Sequence, residues 1–120
     1  MASGEVSLLF TDDQGIRDIN RRYLQRDYPT NVISFAMTEG IYSQISPQVL
    51  GDIVISVETA HREGLANGLT FREYVDFLII HGLLHLIGYD HEGVNNEEAR
   101  KMEQMEDELF FLLHKTPLQR

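Results

Sequence analysis

The stretch Ile79 to His91, IIHGLLHLIGYDH, constrains this chain more than any other. It holds three histidines, His81, His85 and His91, spaced H-x3-H-x5-H. On a helix, residues four apart lie one turn above each other on the same face, about 6 Å along the axis. Two imidazole nitrogens placed that way can meet one ion at about 2.0–2.1 Å. Gly88 follows three residues after His85, where a glycine in the left-handed conformation can end a helix. That turn would bring His91 round as a third ligand. Three protein ligands leave one tetrahedral position open, which separates a catalytic zinc site from a closed structural one. Histidines at i and i+4 can also be hydrogen-bonded core residues. Here they sit among Ile79, Ile80, Leu83, Leu84, Leu86 and Ile87, where unpaired imidazoles would be costly to bury. One zinc ion per chain would satisfy them together, and the expectation is a metal-dependent hydrolase.

The rest of the chain supplies a scaffold for that stretch. Val6 to Phe10 reads as a short buried strand. The aspartates after Thr11 suit a helix N-cap, and Ile16, Ile19 and Tyr23 then recur at helical spacing. This helix should end near Asp27-Tyr28-Pro29, because the residue before a proline avoids the helical region. Asn31 to Ala36 is a second strand, β-branched and apolar at its centre. Met37 to Gln48 has no clear period and reads as a surface loop, with room for a short strand. Gly51 to Ser56 is a third strand, with Ile53 and Ile55 on one face and Asp52, Val54 and Ser56 on the other. Ser56 can cap a short helix ending near Asn67-Gly68.

Thr70 and Glu73 form a T-x-x-E capping box that opens the histidine helix. Apolar on nearly all sides, that helix should be central and buried. A last helix is expected from Asn95 to about His114, with Met102, Met105, Leu109 and Leu112 as its apolar face. Its acids, including Glu97, Glu98, Glu103, Glu106, Asp107 and Glu108, read as a solvated face. His61 and His114 lack ligand spacing and read as surface or capping residues. The sum is an α+β (α/β layered) fold, a small mixed β-sheet covered by helices. The metal site falls on a central buried helix and the turn after it.

At 120 residues the chain is expected to form a single hydrolase domain, residues 1–120, with Met1 to Gly4 outside the ordered fold. No apolar run is long enough to span a bilayer, and the N-terminus lacks a basic-then-apolar signal pattern, so no membrane is expected. Without cysteine, any metal must be held by histidine and carboxylate. The net charge of −9 argues against a nucleic-acid partner until its distribution is considered. Four of the ten basic residues, Arg17, Arg21, Arg22 and Arg26, fall in one ten-residue window. Arg21, Arg22 and Arg26 are therefore candidate phosphate contacts. The bland alternative is a solvated helix face.

From His81 the pattern H-x-x-x-H-x-x-G-x-x-H is the ligand spacing of metzincin proteases, in which a glutamate follows the first histidine as general base. Gly82 stands there instead. A metzincin-like protease is therefore the second reading. HGLLHLIGYDH resembles the H-G-x-L-H-L-x-G-Y-D-H signature of the YbeY family, zinc-dependent endoribonucleases involved in ribosomal RNA maturation. Asp27 to Phe35 resembles the family's D-x-P-T-[DN]-V-L-S-F stretch, and Leu50 to Ile55 its L-G-D-I-x-I strand.

The resemblance implies His81, His85 and His91 as zinc ligands, and single-stranded RNA, ribosomal RNA among it, as the partner. It also implies a role in ribosome quality control and a bacterial cytoplasmic or organellar setting. At one position the chain departs from the family: Leu24 stands where an arginine usually follows the tyrosine matching Tyr23. Arg26 is then a candidate to take that arginine's place. Asp52 and Asp90 are candidates to orient a ligand imidazole, the usual job of a carboxylate near a metal histidine; turn or capping roles are equally open. A third reading is a non-catalytic ribosome-assembly factor that binds RNA and holds structural zinc.

Overall fold

The computed structural model describes residues 4–36, 49–89 and 96–118. Their order is β1 (Glu5–Thr11), α1 (Asp13–Leu24), β2 (Val32–Ala36), β3 (Val49–Ser56), α2 (Val57–Ala66), α3 (Phe71–Leu86) and α4 (Asn96–His114). The three strands form one mixed sheet in the order β1-β3-β2, with β1 parallel and β2 antiparallel to β3. This is the expected α+β layered arrangement. The expected loop at Met37–Gln48, and both Asp90 and His91, lie outside the described residues. No described helix is long and apolar enough to cross a membrane.

Central strand β3 divides its side chains between two helical layers, as the alternation of a strand requires. Ile53 and Ile55, fully buried, pack with Ala60 of α2 and with Tyr74, Val75 and Leu78 of α3. Val54 faces the other way, into a cluster with Ile33 of β2 and Ile16 of α1. Helix α3 lies between the sheet and helices α2 and α4, touching all of them. That explains its apolar residues on every side.

The caps follow the sequence signals closely. Asp12 and Ser56 each accept a hydrogen bond from a first-turn amide of α1 and α2. Thr70 and Glu73 close the expected capping box on α3. Asp13 ties α1 to the start of α2. Its carboxylate accepts from Ser56 Oγ at 2.6 Å, Thr59 Oγ1 at 2.5 Å and Arg62 Nη2 at 2.9 Å. The Ser56 and Thr59 hydrogen bonds, with Arg62 behind them, hold the Asp13 pKa down at about 2.

Four expectations need correction. First, β1 is not buried: Leu8, Leu9 and Phe10 are 44%, 50% and 49% exposed. Among the described residues it is an edge strand, and the helices cover the centre of the sheet instead. Second, α1 ends at Leu24, three residues before Asp27, because Gln25 turns left-handed and the chain closes back on Asn20 O. Third, on α4 it is Phe110 that is buried, while Leu112 is 62% exposed, so the apolar stripe runs through Met102 and Phe110. Fourth, His114 is not a free surface group. It is mostly buried against Phe110, and its Nε2 lies 3.0 Å from Asp76 Oδ2 on α3.

Candidate metal centre and RNA cleft

Helix α3 brings His81 and His85 to one face in its last turns. Their Nε2 atoms are 3.2 Å apart. Two ligands bonded to one tetrahedral ion at 2.0–2.1 Å would lie about 3.3–3.4 Å from each other, so the observed spacing fits a shared zinc ion. Both atoms are imidazole nitrogens, which suit zinc. His91, the expected third ligand, lies outside the described residues.

The turn after the pair is built as the sequence suggested. Gly88 has φ +111°, a conformation that side chains rarely adopt. Its N–H donates to His85 O at 3.1 Å, and Tyr89 N–H donates to Leu84 O at 2.9 Å. These two bonds satisfy the last carbonyls of the helix in the Schellman pattern and turn the chain immediately after the histidines.

Gly82 points away from the histidine face. A Cβ built on it would lie 3.0 Å from both Ile53 Cγ2 and Ser34 Oγ, and Ser34 Oγ donates to Gly82 O at 3.3 Å. Glycine is therefore needed for α3 to approach the sheet. A glutamate here would be directed at β2 and β3, not at a substrate beside His81.

The other side of His81 meets an acid from α4. Its Nδ1 lies 2.5 Å from Oε2 of Glu106, which is 3% exposed on α4. The solvated-face expectation thus fails for this one acid. A signal was present: Glu106 falls four residues after Met102 and four before Phe110, inside the apolar stripe and not opposite it.

The histidine pair borders a cleft of about 750 Å³. Its wall includes Arg26, Tyr28 and Asn31 from the segment leading into β2, Ser34 of β2 itself, and Phe77 and Tyr89 around α3. Asn20, 2% exposed, donates to Tyr28 O at 2.9 Å and anchors this segment. Arg17 pairs with Asp27 at 2.9 Å, and that guanidinium holds the Asp27 carboxyl below its usual range. Leu24 also borders the cleft.

Of the three candidate RNA-binding arginines, Arg26 lines the cleft. Arg21 and Arg22 are exposed on α1 outside that lining, Arg21 lying 3.5 Å from Asp18. Asp52 is a clearer correction. It shares the α1 side of β3 with Val54, across the sheet from α3, and does not reach the histidines as an orienting carboxylate.

Comparison with known proteins identifies the family. A family model described as endoribonuclease YbeY matches residues 1–114. A protein of that name from Syntrophus aciditrophicus is 58% identical over 114 residues, 95% of this chain and 71% of the relative. One from Geobacter metallireducens is 49% identical over 114 residues, 95% of this chain and 76% of the relative. The solution structure of a Thermotoga maritima protein matches with a TM-score of 0.60 at 24% identity, over 96% of this chain and 74% of that one, a likeness of fold. A family match across nearly the whole sequence, with relatives 58% and 49% identical over 114 residues, means that this chain belongs to the endoribonuclease YbeY family.

Proposed function

We propose that this protein is a zinc-dependent endoribonuclease that cleaves single-stranded RNA, with one zinc per chain held by His81, His85 and His91. The observation that carries the proposal is the convergence of the His81 and His85 Nε2 atoms, 3.2 Å apart, on a cleft that Arg26 also lines. Relatives named endoribonuclease support RNA as the substrate. When bound, zinc supplies Lewis acidity that can polarise a phosphate oxygen or acidify a water.

The chain's own residues do the remaining work. Arg26 contacts a phosphate of the bound strand and holds it beside the histidines, while Arg21 and Arg22 add outer charge along α1. Tyr28, half-exposed on the cleft wall, offers a ring face to an unstacked base, which favours single strands over duplex. Ribosomal RNA is the proposed target, in maturation and quality control within the cytoplasm, following the family resemblance.

Two other readings are weaker. A metzincin-like peptidase needs a carboxylate after the first histidine, and the chain has Gly82 there, packed on the sheet. A non-catalytic RNA-binding factor with structural zinc calls for a closed metal site, whereas the histidine pair borders an open cleft. The test incubates the purified protein with single-stranded RNA and with an unfolded polypeptide, each with and without a chelator. Chelator-sensitive RNA cleavage supports the proposal; chelator-sensitive peptide cleavage with intact RNA would replace it with the protease.

A further inference from the structure

Glu106 is the acid of α4 that the apolar core admits. It is 3% exposed and sits between Met102 and Phe110, both fully buried, in a cluster with Ile80 and Leu84. A carboxylate in such surroundings is unfavourable unless it is paired and hydrogen-bonded. Its Oε2 lies 2.5 Å from His81 Nδ1.

An imidazole carries its two nitrogens on different edges of the ring. A carboxylate at Nδ1 fixes the proton there and leaves the Nε2 lone pair directed outward. In this protein Nε2 of His81 is directed at Nε2 of His85, 3.2 Å away. Glu106 thus approaches the edge of the ring opposite the point where the two Nε2 atoms meet. It is placed to govern His81 from behind, not to ligate beside it.

Resting on the metal reading of His81 and His85 above, we propose that Glu106 is a positioning residue of the metal centre. It locks the Nδ1–H tautomer and the ring orientation of His81 and makes Nε2 a stronger donor to zinc. A carboxylate behind a ligand histidine typically changes metal affinity by about 10- to 100-fold. Glu106 also makes α4 a part of the site, although none of the three ligands lies on that helix.

The test uses the full chain, its Glu106→Gln and Glu106→Leu variants, and His85→Ala. Zinc affinity is measured by competition with a chromogenic chelator, and metal-free thermal unfolding is followed in parallel. Nitrogen NMR of the metal-free wild type at alkaline pH reads the His81 tautomer directly. Expected are the Nδ1–H tautomer in the wild type and a roughly tenfold or greater loss of zinc affinity in Glu106→Gln at an unchanged melting temperature. Glu106→Leu should lose affinity further and also lose the single tautomer. A glutamate that only pins α4 to α3 would move the melting temperature and leave zinc affinity alone. Unchanged zinc affinity in Glu106→Gln, or a wild-type His81 protonated at Nε2, would overturn the positioning role. Equal zinc binding by wild type and His85→Ala would instead remove the metal reading beneath it, so the two failures are distinguishable.

Discussion

Replacing Gly82 with alanine sets two effects of opposite sign against each other. In the interior of a helix such as α3, alanine is favoured over glycine by about 0.5–1 kcal/mol, because glycine loses more backbone freedom on folding. Against that, the new Cβ would lie 3.0 Å from Ile53 Cγ2, 3.0 Å from Ser34 Oγ and 3.1 Å from Ile53 Cδ1. Ile53 is fully buried in the centre of the sheet, and Ser34 cannot back away without weakening its bond to Gly82 O. Forcing an extra methyl group into a packed core costs about 1–3 kcal/mol. Packing should win, leaving Gly82→Ala less stable than wild type by roughly 0.5–2 kcal/mol. Urea unfolding of the metal-free proteins measures this. Ile53→Val, which removes Cδ1 and by itself costs about 0.5–1.5 kcal/mol, should cost less when alanine occupies position 82. A Gly82→Ala protein more stable than wild type, with an additive Ile53→Val effect, would refute the close approach of α3 to the sheet.

Asp13→Asn should destabilise the protein at neutral pH and the difference should close in acid. The Asp13 pKa is lowered to about 2, chiefly by Ser56 and Thr59, so its contribution is full above the unfolded carboxylate range and is lost as pH falls through about 2. For a side chain 26% exposed, screening reduces that contribution to about 1–2 kcal/mol, which denaturant midpoints across pH would read. Arg26→Ala should weaken single-stranded RNA binding and flatten the slope of log affinity against log salt by about 0.7, while Arg22→Ala changes both less. Fluorescence anisotropy across a salt series checks this, and equal effects at the two positions would dissociate the cleft from RNA. Asp52→Asn should leave zinc affinity within about twofold of wild type, since it lies across the sheet from α3 and lacks the contact through which an orienting carboxylate acts. Chelator competition decides it.

The histidine helix was legible because its signals are local. The capping box at Thr70 and Glu73, the i, i+4 histidines and the terminal Gly88 all act within one or two turns. The three strands were legible from β-branched runs and alternation, down to which residues of β3 face together. What stayed hidden depends on partners distant in sequence. Strand β1 is apolar enough to be central, yet only the sheet order shows that it lies at an edge. Asp52 has the chemistry of an orienting carboxylate, and only the packing of α1 and α3 on opposite faces shows that it points away. Glu106 lies 25 residues from His81, and in a helix of many acids its place in the apolar stripe was the sole clue. The sequence shows at Gly82 only the carboxylate that is missing there; the reason for glycine, contact with Ile53 and Ser34, belongs to the tertiary structure.

If His81 and His85 act together on one zinc ion that RNA cleavage requires, metal and activity should be lost together. The most direct test measures zinc content and RNA cleavage together, in wild type and in a folded His85→Ala variant, before and after chelation. One zinc per wild-type chain is expected, with cleavage that disappears on chelation and returns with added zinc, and with both lost in His85→Ala. RNA cleavage that survives chelation and the loss of His85 would contradict that dependence.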